Sequence, residues 1–321
     1  MRILAVTNLW PAPGSFRGVF VADQVAGLRR LGHEVDVEVV AQERGRLDYL
    51  LAAGRVRRRG SYDLVHVHYG LTALASRLVV GVPRILSLYG SDVNTPWQWR
   101  LTRLFDGNPA ARVYPSRRLA LAAGDPDGAI VPPGVDFGLF APFDPAARAA
   151  ARAGFGFGPD ETVVLFGAAP DNPVKGYDVF RAVVDRLGAR TLLLPAPGQS
   201  RAGVVPKFAA ADLLLVTSRQ GTESGPLVVK EAAAMGLPVV SVDVGDAAEV
   251  LDGVTPSAVV PFSGTLVADL AAACAAVLAD GRRADGRERI ARYDQEQAVR
   301  ALEAVYTRVL AGRAVPSRRG R

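Results

Sequence analysis

The 321-residue sequence holds one cysteine, Cys274, three histidines, His33, His66 and His68, and three lysines. A single cysteine excludes a disulfide framework and a thiolate metal cluster, and makes a reducing compartment the default. Three histidines leave little material for a zinc site. No run reaches the roughly 18–20 apolar residues that a membrane-spanning helix needs. The nearest, Leu266 to Ala279, is alanine-rich and broken by Asp269, and reads as a buried soluble helix with Cys274 as a small packed hydrophobe. The apolar run before Trp10-Pro11 is too short for a signal peptide, so the expected location is the cytoplasm. Neither a G-x-G-x-x-G fingerprint nor a P-loop occurs, and Gly154, Gly156 and Gly158 precede their strand rather than follow it. The chemistry therefore has to come from carboxylates, backbone amides and cations.

What is present is globular: 49% hydrophobic and 22% charged residues, in a length suited to about two domains. Net charge is +6, with 35 arginines. Residues 1–140 carry 17 basic and 12 acidic groups, against 21 and 20 in the remainder. A basic front half suits an anionic surface or substrate. Nucleic acid is not expected, because no binding motif or aromatic-basic interleaving accompanies the charge.

Strand-length apolar runs recur at Ile3–Asn8, Val35–Val40, Leu64–His68, Ile85–Tyr89, Arg112–Pro115 and Ile130–Pro132, then at Thr162–Gly167, Thr191–Leu194, Leu213–Thr217, Pro238–Val242 and Ala258–Pro261. Near-continuous Val/Ile/Leu runs suit strands buried on both faces of a parallel sheet. Amphipathic stretches lie between them, as at Val21 to Leu31, which ends before Gly32. The expected fold class is α/β: two Rossmann-like, doubly wound parallel-sheet domains facing a cleft. The expected division is 1–140 and 141–300, with a helix at 301–312 returning to the first domain and a basic tail at 313–321.

The stretch from Leu213 to Val250 is the most informative. A strand ends at Thr217-Ser218, a loop follows, and Pro226 opens a helix that ends at Gly236. Ser224 and Gly225 fall at its N-terminus, where free amides and the dipole's positive end favour an anion. Glu223 lies just outside that terminus and Glu231 about one and a half turns in. Spacing alone leaves two readings open: carboxylates gripping the hydroxyls of a phosphorylated ligand, or solvated helix charges.

The pattern Glu223, seven residues, Glu231, then Ala-x-x-x-Gly-x-Pro-Val-Val resembles the donor signature of the retaining, nucleotide-sugar-dependent glycosyltransferases of family 4, which have the two-lobed GT-B fold. Further pieces match in order. They are Gly18-Val-Phe-Val with Gly32-His-Glu-Val; Asp63-Leu-Val-His-Val-His68-Tyr69-Gly70; Leu88-Tyr89-Gly90-Ser91-Asp92; Val131-Pro-Pro-Gly-Val-Asp136; and Val174-Lys175-Gly176-Tyr-Asp178.

The resemblance implies roles. Lys175 would place a cation on the diphosphate leaving group, offsetting charge that grows as the glycosidic bond breaks. Gly225 and its neighbours Ser224, Pro226 and Leu227 would frame the same diphosphate, held by the backbone amides of all but the proline. Glu231 would bind the ribose hydroxyls, and Glu223 would contact and position the transferred sugar. The loop Pro13 to Gly18 would cover the phosphates from the acceptor side, with Gly18 allowing close backbone approach. His68, Tyr89 and Asp92 would stand on the acceptor side. A nucleoside diphosphate sugar would be co-substrate, and no metal or other cofactor is implied. The reaction would retain anomeric configuration without a protein nucleophile. Acceptor candidates are a glycolipid, a cell-wall precursor or a small metabolite. A non-catalytic sugar-nucleotide binder of the same fold and a sugar-nucleotide epimerase are the alternatives.

The sequence departs from the family pattern twice. Pro170 stands where an arginine usually supplies a second diphosphate cation, leaving Asn172 as a hydrogen-bond donor in that loop. Tyr89 stands where the acceptor-lobe motif usually opens with histidine. Elsewhere, His66 and His68 share one strand face, open to either packing or a place near the acceptor. Asp125-Pro126-Asp127 reads as a turn. Arg55-Val-Arg-Arg-Arg59, with Arg44 and Arg46, reads as a solvated basic face or as a peripheral contact with an anionic membrane at its inner surface.

Overall fold

The computed structural model describes residues 1–12, 17–40, 44–45, 47–194 and 199–314. The described chain divides into two compact units, Val135–Asp294 and a first unit that combines Met1–Gly134 with the C-terminal segment from Gln295.

The first unit is built on β1 (Arg2–Thr7), β2 (Glu34–Val39), β3 (Leu64–His68), β4 (Arg84–Ser87), β5 (Ala111–Tyr114) and β6 (Ala129–Ile130). They pair in parallel in the order β2-β1-β3-β4-β5-β6. β1 runs Ile-Leu-Ala-Val-Thr with no exposed residue after Arg2, and β3 is buried throughout. The edge strand β2 instead alternates valine with Glu34, Asp36 and Glu38, and such charges protect an open edge. The chain goes from β1 to β2 on one side and returns to β3 on the other, so the order reverses between β1 and β3.

The C-terminal helix Gln295–Ala314 closes one face of this sheet. Val299, Leu302, Val305 and Tyr306 pack with Ile3, Val25, Leu28, Leu64 and Ile85. Gly27 makes the approach possible, since a Cβ there would lie 2.5 Å from Val299 Cγ2. Tyr306 Oη sits 2.7 Å from His66 Nδ1 inside the packed face.

The second unit carries β7 (Val163–Phe166), β8 (Arg190–Leu193), β9 (Leu213–Val216), β10 (Val239–Val242) and β11 (Ala258–Val260), all parallel, in the order β11-β10-β9-β7-β8. β7, β9 and β10 are buried at every position. The order reverses between β7 and β9. Cys274 is buried on the helix Leu266–Asp280, where burial pushes its thiol up to about 12.

The chain passes between the units at 134/135 and 294/295 rather than at the expected 140 and 300. Packing decides this. Val135 and Phe140 belong to the second core, and Arg287 holds the carbonyls of Phe137 and Phe140 at 2.9 Å each. Gly134 lies so close to Gln295 that a Cβ would stand 2.6 Å from its Cα. The C-terminal helix accordingly begins at Gln295.

Replacing Tyr306 with phenylalanine leaves a buried imidazole nitrogen without its partner. The expected cost is about 1–3 kcal/mol, read as a lower urea midpoint for the first unit.

Candidate functional site

Ligands of open α/β sheets bind beyond the strand C-terminal ends where the strand order reverses. In the second unit that point is flanked by the loops after β7 and β9, and these loops bring the sequence-identified residues together.

After β7, Gly167 packs on Val228 of the helix Leu227–Ala234, where a Cβ would be 2.6 Å from Val228 Cγ2. A short 3-10 turn, Pro173–Lys175, follows. Asn172 caps it, its side-chain oxygen accepting from Val174 N at 3.3 Å. That is a local structural use of a residue expected to donate to a ligand, and Pro170 beside it is exposed. Gly176 has φ +66, and a Cβ there would lie 2.2 Å from the Thr217 carbonyl oxygen. Thr217 Oγ1 donates to the carbonyls of Lys175 at 3.0 Å and Gly176 at 2.9 Å. The end of β9 is thereby fastened to the lysine turn.

Lys175 Nζ donates to Glu223 Oε1, which also accepts from Ser218 Oγ at 2.8 Å. Of the three lysines, Lys207 is buried against the carbonyls of Leu193 and Leu194, and Lys230 is fully buried. Lys175, with 29% of its side chain exposed, is the most solvent-accessible of the three. Pro226 stands at the N-cap (φ −68, ψ 113) and the helix starts at Leu227, one residue later than the sequence suggests. Ser224 and Gly225 immediately precede it. Glu231 is buried rather than solvated, and Arg201 Nη2 donates to its Oε1 at 3.1 Å. Sequence reasoning missed Arg201; the signal was Ser200, the N-cap of the helix Arg201–Ala210.

In the first unit the order reverses between β1 and β3. Gly18 (φ +78) opens the helix Val19–Arg30, and a Cβ there would be 2.4 Å from the Leu9 carbonyl carbon. The rest of the loop expected to cover phosphates, residues 13–16, lies outside the described residues, as do Arg46 and the tail beyond residue 314.

His68 Nδ1 is 2.7 Å from Tyr89 Oη, and the rings stack at 6.1 Å. Phe20 also packs on Tyr89, with ring centres 4.8 Å apart. His66 points into the packed face between Ser87 Oγ, 2.7 Å away, and Tyr306. Asp92 faces inward. Its carboxylate accepts from the amides of Tyr89 (2.9 and 3.1 Å), Gly90 (2.9 Å) and Gly70 (3.1 Å), so it builds the loop that carries Tyr89. Asp125 accepts from Tyr114 Oη at 3.0 Å, as a turn residue. Arg55 is ion-paired to Asp48 and Glu38, and Arg59 to Glu38, which leaves Arg57 and Arg58 as the solvated part of the basic run.

Burial pushes His66 well below its ordinary value and His68 down to about 3. Burial also pushes Asp92 up to about 6, against the pull of its backbone amide donors. The signs differ. The unfolded histidines protonate near 6.5, so their contribution to stability is present above that pH and lost as pH falls. Asp92 contributes below about pH 4, and its contribution is lost as pH rises through about 6. The imidazole nitrogen and carbon shifts of His66 and His68 are expected to remain those of neutral rings at pH 5; a charged ring there would contradict the burial described.

The family described as glycosyl transferases group 1 matches residues 196–280. A D-inositol 3-phosphate glycosyltransferase of Segniliparus rotundus is 30% identical over 368 residues, which span 95% of this chain and 78% of that protein. A protein of the same name from Mycobacterium sp. strain KMS is 30% identical over 76% of this chain; the alignment spans 64% of that relative's length. Among solved structures, sucrose-phosphate synthase from Thermosynechococcus elongatus superposes with a TM-score of 0.81 at 18% identity, covering 97% of this chain and 100% of that one. Anabaena HepE in complex with UDP-glucose gives 0.71 at 20% identity, with coverage of 96% and 100%. At these identities the likeness shows the fold, which is the GT-B architecture.

Proposed function

The chain belongs to the group 1 glycosyltransferases, and from that premise we propose that it moves a sugar from a nucleoside diphosphate sugar to a hydroxyl acceptor with retention of anomeric configuration. One observation carries this reading. Lys175, Ser218 and Glu223 converge at the point where the second sheet's strand order reverses, just ahead of the amide end of the helix Leu227–Ala234. A diphosphate suits that place. The amides around Ser224 and Gly225 supply fixed dipoles, and Lys175 supplies a mobile charge that strengthens its hold as the leaving group gains charge.

Glu231, further along the helix, takes the ribose hydroxyls. Arg201 beside it places a cation at the nucleoside end, in a chain where Pro170 stands at the usual arginine position. Glu223 addresses the transferred sugar. Sugar transfer by front-face departure and attack needs no protein nucleophile and no metal. Anabaena HepE was crystallised with UDP-glucose, which supports a UDP-sugar as the first donor to assay. The relatives' name makes D-inositol 3-phosphate the first acceptor to assay.

The test is calorimetric titration of the protein with UDP, GDP, ADP and TDP without divalent metal. One of the four is expected to bind selectively. Lys175→Ala should weaken that binding about 10- to 100-fold, the worth of a charge-assisted contact, whereas Arg58→Ala leaves it unchanged. Equal effects of the two substitutions would remove Lys175 from the site.

A peripheral membrane role is favoured by a separate observation. Leu47, Leu50 and Leu51 are 72%, 61% and 66% exposed at the start of the helix Asp48–Arg58, which ends in the exposed Arg57 and Arg58. Apolar side chains beside arginines fit an anionic bilayer, each arginine near the surface contributing about 1 kcal/mol. The protein should sediment with phosphatidylserine vesicles and not with phosphatidylcholine ones, and Leu50→Asp with Leu51→Asp should abolish this. Equal sedimentation with both vesicle types would contradict it.

A further inference from the structure

The helix Leu227–Ala234 reads Leu-Val-Val-Lys-Glu-Ala-Ala-Ala, and both of its charges are turned inward. Glu231 meets Arg201. Lys230 has no solvent exposure at all, and its Nζ lies 2.6 Å from Asp246 Oδ2, whose side chain is 1% exposed. Asp246 comes from the turn after β10. The two charges meet as a buried ion pair. The ammonium also stands 5.1 Å from the centre of the Tyr293 ring.

A buried pair of this kind adds little stability, because desolvating two charges offsets most of their attraction. Its location is more informative. A Cβ on Gly225 would lie 3.1 Å from Asp246 Oδ2 and 3.3 Å from Lys230 Nζ. On the adjoining turn Gly245 has φ +57, and a Cβ there would lie 2.9 Å from both Gly225 N and the Ser224 carbonyl carbon, and 3.0 Å from Pro226 Cδ. The ion pair and the glycine turn together form the floor on which Ser224, Gly225 and Pro226 rest.

We propose that Lys230 and Asp246 are positioning residues for the donor's diphosphate: the pair holds the Ser224–Pro226 segment so that its amides keep the orientation an anion needs. The role rests on the donor-site reading given above. It assigns a purpose to two residues that touch no ligand in that reading. Amides bind an anion strongly when they are fixed before it arrives. An apolar substitute could fill the same volume, but it would not tie the helix to the turn after β10 through one charge on each. The pair is placed to sense the segment's backbone directly, because Gly225 has only hydrogen on that side.

The test uses Lys230→Met, Asp246→Asn and the double variant. Melting temperature is measured, together with affinity for whichever of UDP, GDP, ADP and TDP binds the unmodified protein best, and for its parent nucleoside. Each single variant should melt lower, Lys230→Met more so because it leaves a carboxylate buried without its cation. The double variant should recover most of the melting temperature yet bind the nucleoside diphosphate roughly tenfold or more weakly, as misplacement of binding groups produces. Its affinity for the nucleoside should be unchanged.

Recovery of both melting temperature and diphosphate affinity would overturn the proposal and make the pair a packing element. Equal losses for nucleoside and nucleoside diphosphate would overturn it too. If the double variant does not fold, Asp246→Asn alone, the smallest change in volume, is read with the same two ligands. If the unmodified protein binds none of the four nucleotides, the donor-site reading fails and this role with it. If it binds one and the double variant matches it, only the positioning role fails.

Discussion

Strands buried on both faces admit a polar side chain only where a partner meets it, and otherwise push it to the last residue or the loop beyond. That constraint governs both units. β7, β9 and β10 are apolar throughout but for Ser241, whose hydroxyl is spent on a neighbouring carbonyl. Polar groups gather past the strand ends, in Thr217-Ser218 after β9 and in Asn8 and Tyr69 after β1 and β3. Where the strand order reverses, neighbouring loops diverge to opposite faces and leave room for a ligand. The loop glycines follow from the same crowding. Gly176 and Gly167 are required because the loop after β7 has to pass against Thr217 and Val228.

The architecture was open to reading because it rests on period and run length. All eleven apolar runs are strands, most of them one or two residues shorter than their runs. The runs overshoot because Tyr89, Thr217 and Gly167 carry strand-like side chains or spacing while already leaving the ladder. The bounds of the two units were harder. Val135 and Phe140 look like any linker residues, and only the second core's packing claims them.

For the site, the resemblance to a known family named Lys175, Glu223 and Glu231, where spacing alone left the two glutamates open, and neither could give direction. Asp92 has the same composition signal as a ligand-facing carboxylate, yet the amides of Tyr89, Gly90 and Gly70 turn it inward. Lys230 sits next to Glu231 in the chain, and a lone lysine on a helix is ordinarily taken as solvated. Its burial depends on Asp246, sixteen positions away and on another element, a pairing no local pattern contains. Arg201 was hidden for the same reason: its partner lies thirty residues away. His66 and His68 share a face by strand alternation, with their rings 3.9 Å apart and both buried; their partners differ, Tyr306 for the first and Tyr89 for the second.

The contact between Lys175 and Glu223 has a consequence for the order of events. The cation suited to a diphosphate and the carboxylate suited to a sugar neutralise one another, with Ser218 completing the carboxylate's company. An ammonium has three donors, so a phosphate arriving at Lys175 would compete with Glu223 for its charge and loosen that bond, with Ser218 still holding the carboxylate. The nucleotide would then tune its own sugar's binding group: a free monosaccharide would meet a carboxylate neutralised by Lys175, and a sugar that brings its own phosphates would meet one whose cation is shared.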